Sequence, residues 1–123
     1  LSLFDEGDLD HYFIIPKSAP TVSGCFGDEE VELRNAATLI PPGSGRRLDV
    51  ATDQPGVQFY TSIHMKEVAG RNGATYNTNQ ALCLETQHFP DTPNKPNFPS
   101  TLLKPGETFQ SRTVHTFNVL QKK

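Results

Sequence analysis

The sequence predicts an all-β fold, an antiparallel β-sandwich or part of one. Three observations carry that expectation. About seven runs of β-branched and aromatic residues read as strands, several of them alternating apolar with polar side chains. Pro and Gly, 10 and 9 of the 123 residues, separate those runs. No stretch reads convincingly as a helix. A chain of this length can bury about two-thirds of its unfolded surface in one core, so residues 1–123 are expected to form a single domain.

Taken in order, Asp5, Glu6, Asp8 and Asp10 cluster around Gly7. They lack the twelve-residue ligand spacing and the closing Glu of a calcium loop, so a solvated turn is expected and no metal. His11 to Ile15, stopped by Pro16, is the first strand. Residues 17–29, rich in Pro, Ser and Gly, suggest a loop or loose hairpin. Val31-Glu32-Leu33-Arg34 alternates with period two, and Ala36 to Ile40 continues it less regularly. Gly43-Ser44-Gly45 precedes a strand pattern, Arg46 to Thr52, with no helix to hold a phosphate, so a nucleotide loop is not expected. Beyond the turn Asp53-Gln54-Pro55-Gly56, the run Val57 to Thr61 puts Val57, Phe59 and Thr61 on one face and Gln58 and Tyr60 on the other. Residues 66–80 are polar, with a turn at Arg71-Asn72-Gly73-Ala74, and form a rim. Ala81 to Gln87 is a strand. Pro90, Pro93, Pro96 and Pro99 recur every third residue, a spacing that suits a polyproline II ligand or a stiff structural loop. Leu102 to Glu107 forms a turn, and Thr108 to Leu120 the last strand.

Composition narrows the function classes. Eleven Lys and Arg against 14 Asp and Glu leave a net charge of −3, the wrong balance for a surface that neutralises phosphates, so nucleic acid is not an expected partner. No apolar run approaches the ~20 residues a bilayer needs, and no membrane association is expected. Two cysteines, Cys25 and Cys83, are too few for a disulfide framework, and Cys83 sits in an apolar run where a small thiol packs well. A reduced, cytoplasmic compartment is the simpler expectation, and the absence of an Asn-x-Ser/Thr site agrees with it.

Two carboxylates stand out. Leu82-Cys83-Leu84 runs directly into Glu85, and a buried carboxylate is costly unless it has a partner or a task. Glu85 is therefore the first candidate for chemistry. Asp10 opens a strand, where its carboxylate can cap a turn or accept two hydroxyl hydrogen bonds from a polyol.

Three stretches carry a family resemblance. Leu82-Cys83-Leu84-Glu85-Thr86-Gln87-His88-Phe89-Pro90-Asp91, continued to Thr101, resembles the C-terminal signature of the aldose 1-epimerases, the galactose mutarotases. Leu9-Asp10-His11-Tyr12-Phe13 resembles a second motif of that family, with Tyr12 where a small or amide residue is usual. Pro55-Gly56-Val57-Gln58-Phe59-Tyr60-Thr61 resembles a third, followed by Ser62-Ile63-His64-Met65 where the family usually continues Gly-Asn. The resemblance spans nearly all of the 123 residues and corresponds to roughly the last third of a complete mutarotase. It implies part of a galactose mutarotase-like supersandwich that interconverts the α and β anomers of free hexoses such as galactose or glucose. It also implies Glu85 as general base, Asp10 and Gln58 on the sugar hydroxyls, and no cofactor.

The family's acid is a His in an upstream His-Pro-Tyr-Phe type motif that these residues do not contain. His11, His64, His88 and His115 are candidate substitutes, although alternation turns His88 away from Glu85 and His11 away from Asp10. The expected partners are a monosaccharide and, because part of a sandwich leaves sheet edges and an apolar face open, a second copy or a companion N-terminal segment. A non-catalytic carbohydrate-binding module and a structural or interaction fragment are the alternative readings.

Overall fold

The computed structural model describes residues 9–26 and 29–120. Its strands are β1 (Asp10–Ile14), β2 (Thr21–Phe26), β3 (Glu29–Leu39), β4 (Arg46–Thr52), β5 (Gly56–Tyr60), β6 (Val68–Ala69), β7 (Thr75–Tyr76), β8 (Cys83–Gln87) and β9 (Thr113–Val119). Every pairing is antiparallel. Among the described residues the only helical elements are two short 3-10 turns. One sheet has the order β1-β5-β8, a second β2-β3-β4-β9, and β6-β7 forms a small ribbon. The all-β sandwich read from the sequence is what the chain adopts. Asp5, Glu6 and Asp8 lie outside the described residues.

Alternation decides which side chains meet between the sheets. Phe13, Val57, Phe59 and Leu84 from the first sheet face Ala37 and Leu39 of the second across an apolar groove of about 350 Å³. Val50, on β4 beside Ala37, is completely buried. Hydroxyls bind the layers at one end. Thr86 on β8 lies 2.7 Å from Thr113 on β9, and Thr113 lies 3.0 Å from Thr52 on β4. Thr52 donates to the carbonyl of Arg112 at 2.9 Å, so the series runs one way, each hydroxyl donating once. Nearby, the Arg34 guanidinium on β3 donates to the carbonyls of Ile15 and Gln54, both at 3.1 Å, joining the second sheet to the flanks of β1 and β5.

Three segments depart from regular strand structure for identifiable reasons. The irregular alternation of residues 36–40 is a register shift between Asn35 and Ala37, which re-aims the rest of β3. The last strand starts at Thr113 rather than Thr108, because the Asp53 carboxylate takes the Arg112 amide at 3.0 Å and ends the ladder at Thr52–Thr113. The proline run is a stiff loop and not a continuous polyproline II helix. Asp91 turns left-handed at φ 58°, Thr92–Asn94 make a 3-10 turn, and the buried Thr92 hydroxyl donates to the Phe89 carbonyl at 2.6 Å.

Candidate functional site

The outer face of the β1-β5-β8 sheet gathers the polar residues of all three motifs. Its rows are Asp10 and Tyr12 on β1, Gly56, Gln58 and Tyr60 on β5, and Cys83, Glu85 and Gln87 on β8. Gln58 sits in the centre, directly opposite Glu85 on one side and Tyr12 on the other. Opposed residues hold their Cβ atoms about 5 Å apart, so the Gln58 and Glu85 side chains are neighbours. Asp10 stands one diagonal away, opposite Tyr60, and its Oδ1 accepts the Gln58 amide N–H at 2.6 Å. The other amide atom of Gln58, Oε1, is shielded and makes no hydrogen bond. Asp10, Gln58 and Glu85 thus share one surface.

Burial differs from expectation at two positions. Glu85 and Cys83 are exposed, because strand alternation sends only Leu84 and Thr86 toward the second sheet and turns both neighbours outward. The apolar run before Glu85 therefore does not bury the carboxylate, and the Cys83 thiol does not fill the core.

Aromatic side chains close both ends of the face. At one end the Tyr12 ring lies over Gly56 and its hydroxyl donates to the Gln87 carbonyl at 3.0 Å. A Cβ on Gly56 would stand 2.2 Å from that hydroxyl, so only glycine leaves room. Burial raises the Tyr12 phenol above its ordinary pKa. Tyr12 meets Phe89 edge-on at 5.4 Å, and Phe89 meets Phe98 at 5.1 Å, which ties the sheet face to the proline loop. At the other end His64 stacks on Tyr60 with ring centroids 6.2 Å apart and an interplanar angle of 29°. The turn that returns His64 is set by Ser62, buried and left-handed at φ 57°. Its carbonyl accepts the Met65 N–H at 3.0 Å.

The other histidines lie elsewhere. His11 is on the opposite side of β1, His88 follows β8 with its ring 6.2 Å from Phe109, and His115 is on β9 across from Val50. Among the described residues no group of three His, Cys, Asp or Glu could hold a metal ion. Of the rim residues, Tyr60 was marked in the sequence by sharing its strand face with Gln58. The closure by Tyr12 and His64 had no signal beyond their departures from the usual motifs.

The solved structure of a GalM/aldose epimerase homologue from C. elegans superposes on 93% of this chain with a TM-score of 0.73 and 27% sequence identity, over 31% of that protein. The fold is therefore of the mutarotase-like β-sandwich class. The chain belongs to the aldose 1-epimerase family, whose model matches residues 4–116. Galactose mutarotase of Mus musculus is 46% identical over 92 residues, covering 74% of this chain and 27% of that protein. The Sus scrofa galactose mutarotase is 38% identical over 120 residues, 97% of this chain and 32% of its own length. An Escherichia coli aldose 1-epimerase is 36% identical over 73 residues, 58% of this chain and 21% of that enzyme. The chain thus spans about a third or less of the relatives it matches.

Proposed function

We propose that residues 1–123 act as one unit, equivalent to the C-terminal third of a mutarotase, that carries the base and the sugar-gripping groups for interconverting hexose anomers. The observation that carries this reading is the placement of Gln58 between Asp10 and Glu85 on one open sheet face. Glu85 takes the proton from the anomeric hydroxyl as the ring C–O bond breaks, and the ring oxygen gains a proton. The aldehyde carbon rotates, and closure on its other face reverses both proton transfers. Asp10 and Gln58 hold the remaining hydroxyls, with the Asp10 carboxylate accepting from them beside the Gln58 amide it is bonded to. The donor to the ring oxygen is a group outside these three, brought by a companion N-terminal segment or a second copy. The exposed Phe117 and Val119 on edge strand β9, 77% and 81% accessible, support such an association. Where a second copy brings that donor, light scattering on the chain should show a species heavier than a monomer. The substrates are galactose or glucose, and the compartment is cytoplasmic. No described helix is long and apolar enough to cross a membrane.

Polarimetry of freshly dissolved α-galactose or α-glucose tests the reading on the intact polypeptide with any partner present. Glu85→Gln should lower the catalysed rate by about 10²–10⁴. No rate above buffer, with no hexose binding, would overturn it. A non-catalytic sugar-binding module that keeps Asp10 and Gln58 is the second reading. It predicts saturable hexose binding, weakened by Gln58→Ala or Asp10→Ala, without mutarotation.

A further inference from the structure

The Asp10 end of the polar face is walled by a residue that none of the three strands supplies. Tyr60 lies directly opposite both Asp10 and Cys83 and two positions along β5 from Gln58, so its ring borders the polar row at about 7 Å. His64 is carried back over that ring by the turn at Ser62. We propose that His64, backed by Tyr60, is a hydroxyl-contacting residue of the site, a role that rests on reading this face as a sugar site.

Three contacts fix where His64 stands, although its side chain is exposed. The His64 backbone N–H donates to the Tyr60 hydroxyl at 3.2 Å, the two rings stack, and the preceding turn is fixed by the buried Ser62. Ser62 keeps its left-handed backbone with help from its own side chain, whose Oγ accepts the Ala81 N–H at 3.3 Å from the segment leading into β8. A residue whose backbone is fixed in advance gives up less freedom when a ligand arrives. A neutral imidazole both donates and accepts, which matches a sugar hydroxyl, whereas the carboxylates of Asp10 and Glu85 only accept. The two carboxylates also disfavour an anionic ligand, so the hydroxyl belongs to a neutral sugar.

The test is an NMR titration of the intact polypeptide with D-galactose and with D-glucose, following the His64 ring and the Gln58 side-chain amide, repeated on His64→Ala. The His64 and Gln58 signals should move with one saturation curve. His64→Ala should raise Kd about five-fold, the effect of one lost hydrogen bond, and should raise KM while leaving kcat within about two-fold. Its melting temperature, read alongside, should match the parent because the side chain is exposed. Movement of the Gln58 amide with a still His64 ring, or an unchanged Kd in His64→Ala, overturns the role of His64 and leaves the sugar site standing. Silence of both signals overturns the sugar site and His64 with it.

Discussion

Gly56→Ala is the substitution that the geometry of the polar face forbids most directly. The backbone of Gly56 is not left-handed, so the cost is steric alone. The added methyl would stand 2.2 Å from the Tyr12 hydroxyl, 2.3 Å from its ring carbon and 2.6 Å from the Phe13 carbonyl oxygen. The Tyr12 ring can swing away, losing its bond to the Gln87 carbonyl at about 1 kcal/mol. The Phe13 carbonyl belongs to the β1-β5 ladder and must retreat by ~0.8 Å to reach an ordinary contact of about 3.4 Å. Overpacking of that kind costs about 1–3 kcal/mol. Together the two effects give about 2–4 kcal/mol, a large share of the stability of a domain this size. Urea unfolding followed by circular dichroism reads the change as a lower midpoint at constant slope. In a Tyr12→Ala background, where the ring and its bond are already gone, Gly56→Ala should cost only the part that comes from the carbonyl contact. A Gly56→Ala protein within about 0.5 kcal/mol of the parent would refute the reasoning.

Three further outcomes follow from the same contacts. Thr113→Val interrupts the hydroxyl series from Thr86 to Thr52 and should cost about 1–2 kcal/mol in chemical denaturation, whereas Thr108→Val, in the segment that precedes the strand, should be near neutral. Arg34→Lys keeps the charge but cannot bond two carbonyls in a fork, so it should lose about 1–2 kcal/mol, most of the effect of Arg34→Met. Burial raises the Tyr12 pKa above its unfolded value, so the folded state resists losing that proton, and stability falls as pH climbs past about 10. Tyr12→Phe, which loses the bond to the Gln87 carbonyl, should melt lower than the parent at neutral pH, with the gap narrowing under alkaline conditions.

Period-two alternation was enough to place β5 and the first part of β3, because neighbouring residues there differ in polarity. It also put Gln58 and Tyr60 on one face. It could not find the bulge at residues 35–37, since an unpaired residue is visible only against a partner strand. It misjudged Glu85 and Cys83 because an apolar run such as Leu82-Cys83-Leu84 reads alike whether one or both faces are covered. The motifs nominated Asp10, Gln58 and Glu85, and only the register set them side by side. The hydroxyl series at Thr113, the fork of Arg34 and the Tyr12 ring over Gly56 join residues 19 to 75 positions apart, a separation that no local pattern encodes.

The bond between Asp10 and Gln58 has a consequence for any guest on this surface. The two side chains hold each other, so their rotamers are set by an internal bond. A newcomer must trade that internal partnership for its own contacts, which keeps its net grip modest. A molecule whose oxygens fall in the wrong places leaves the pair closed on itself.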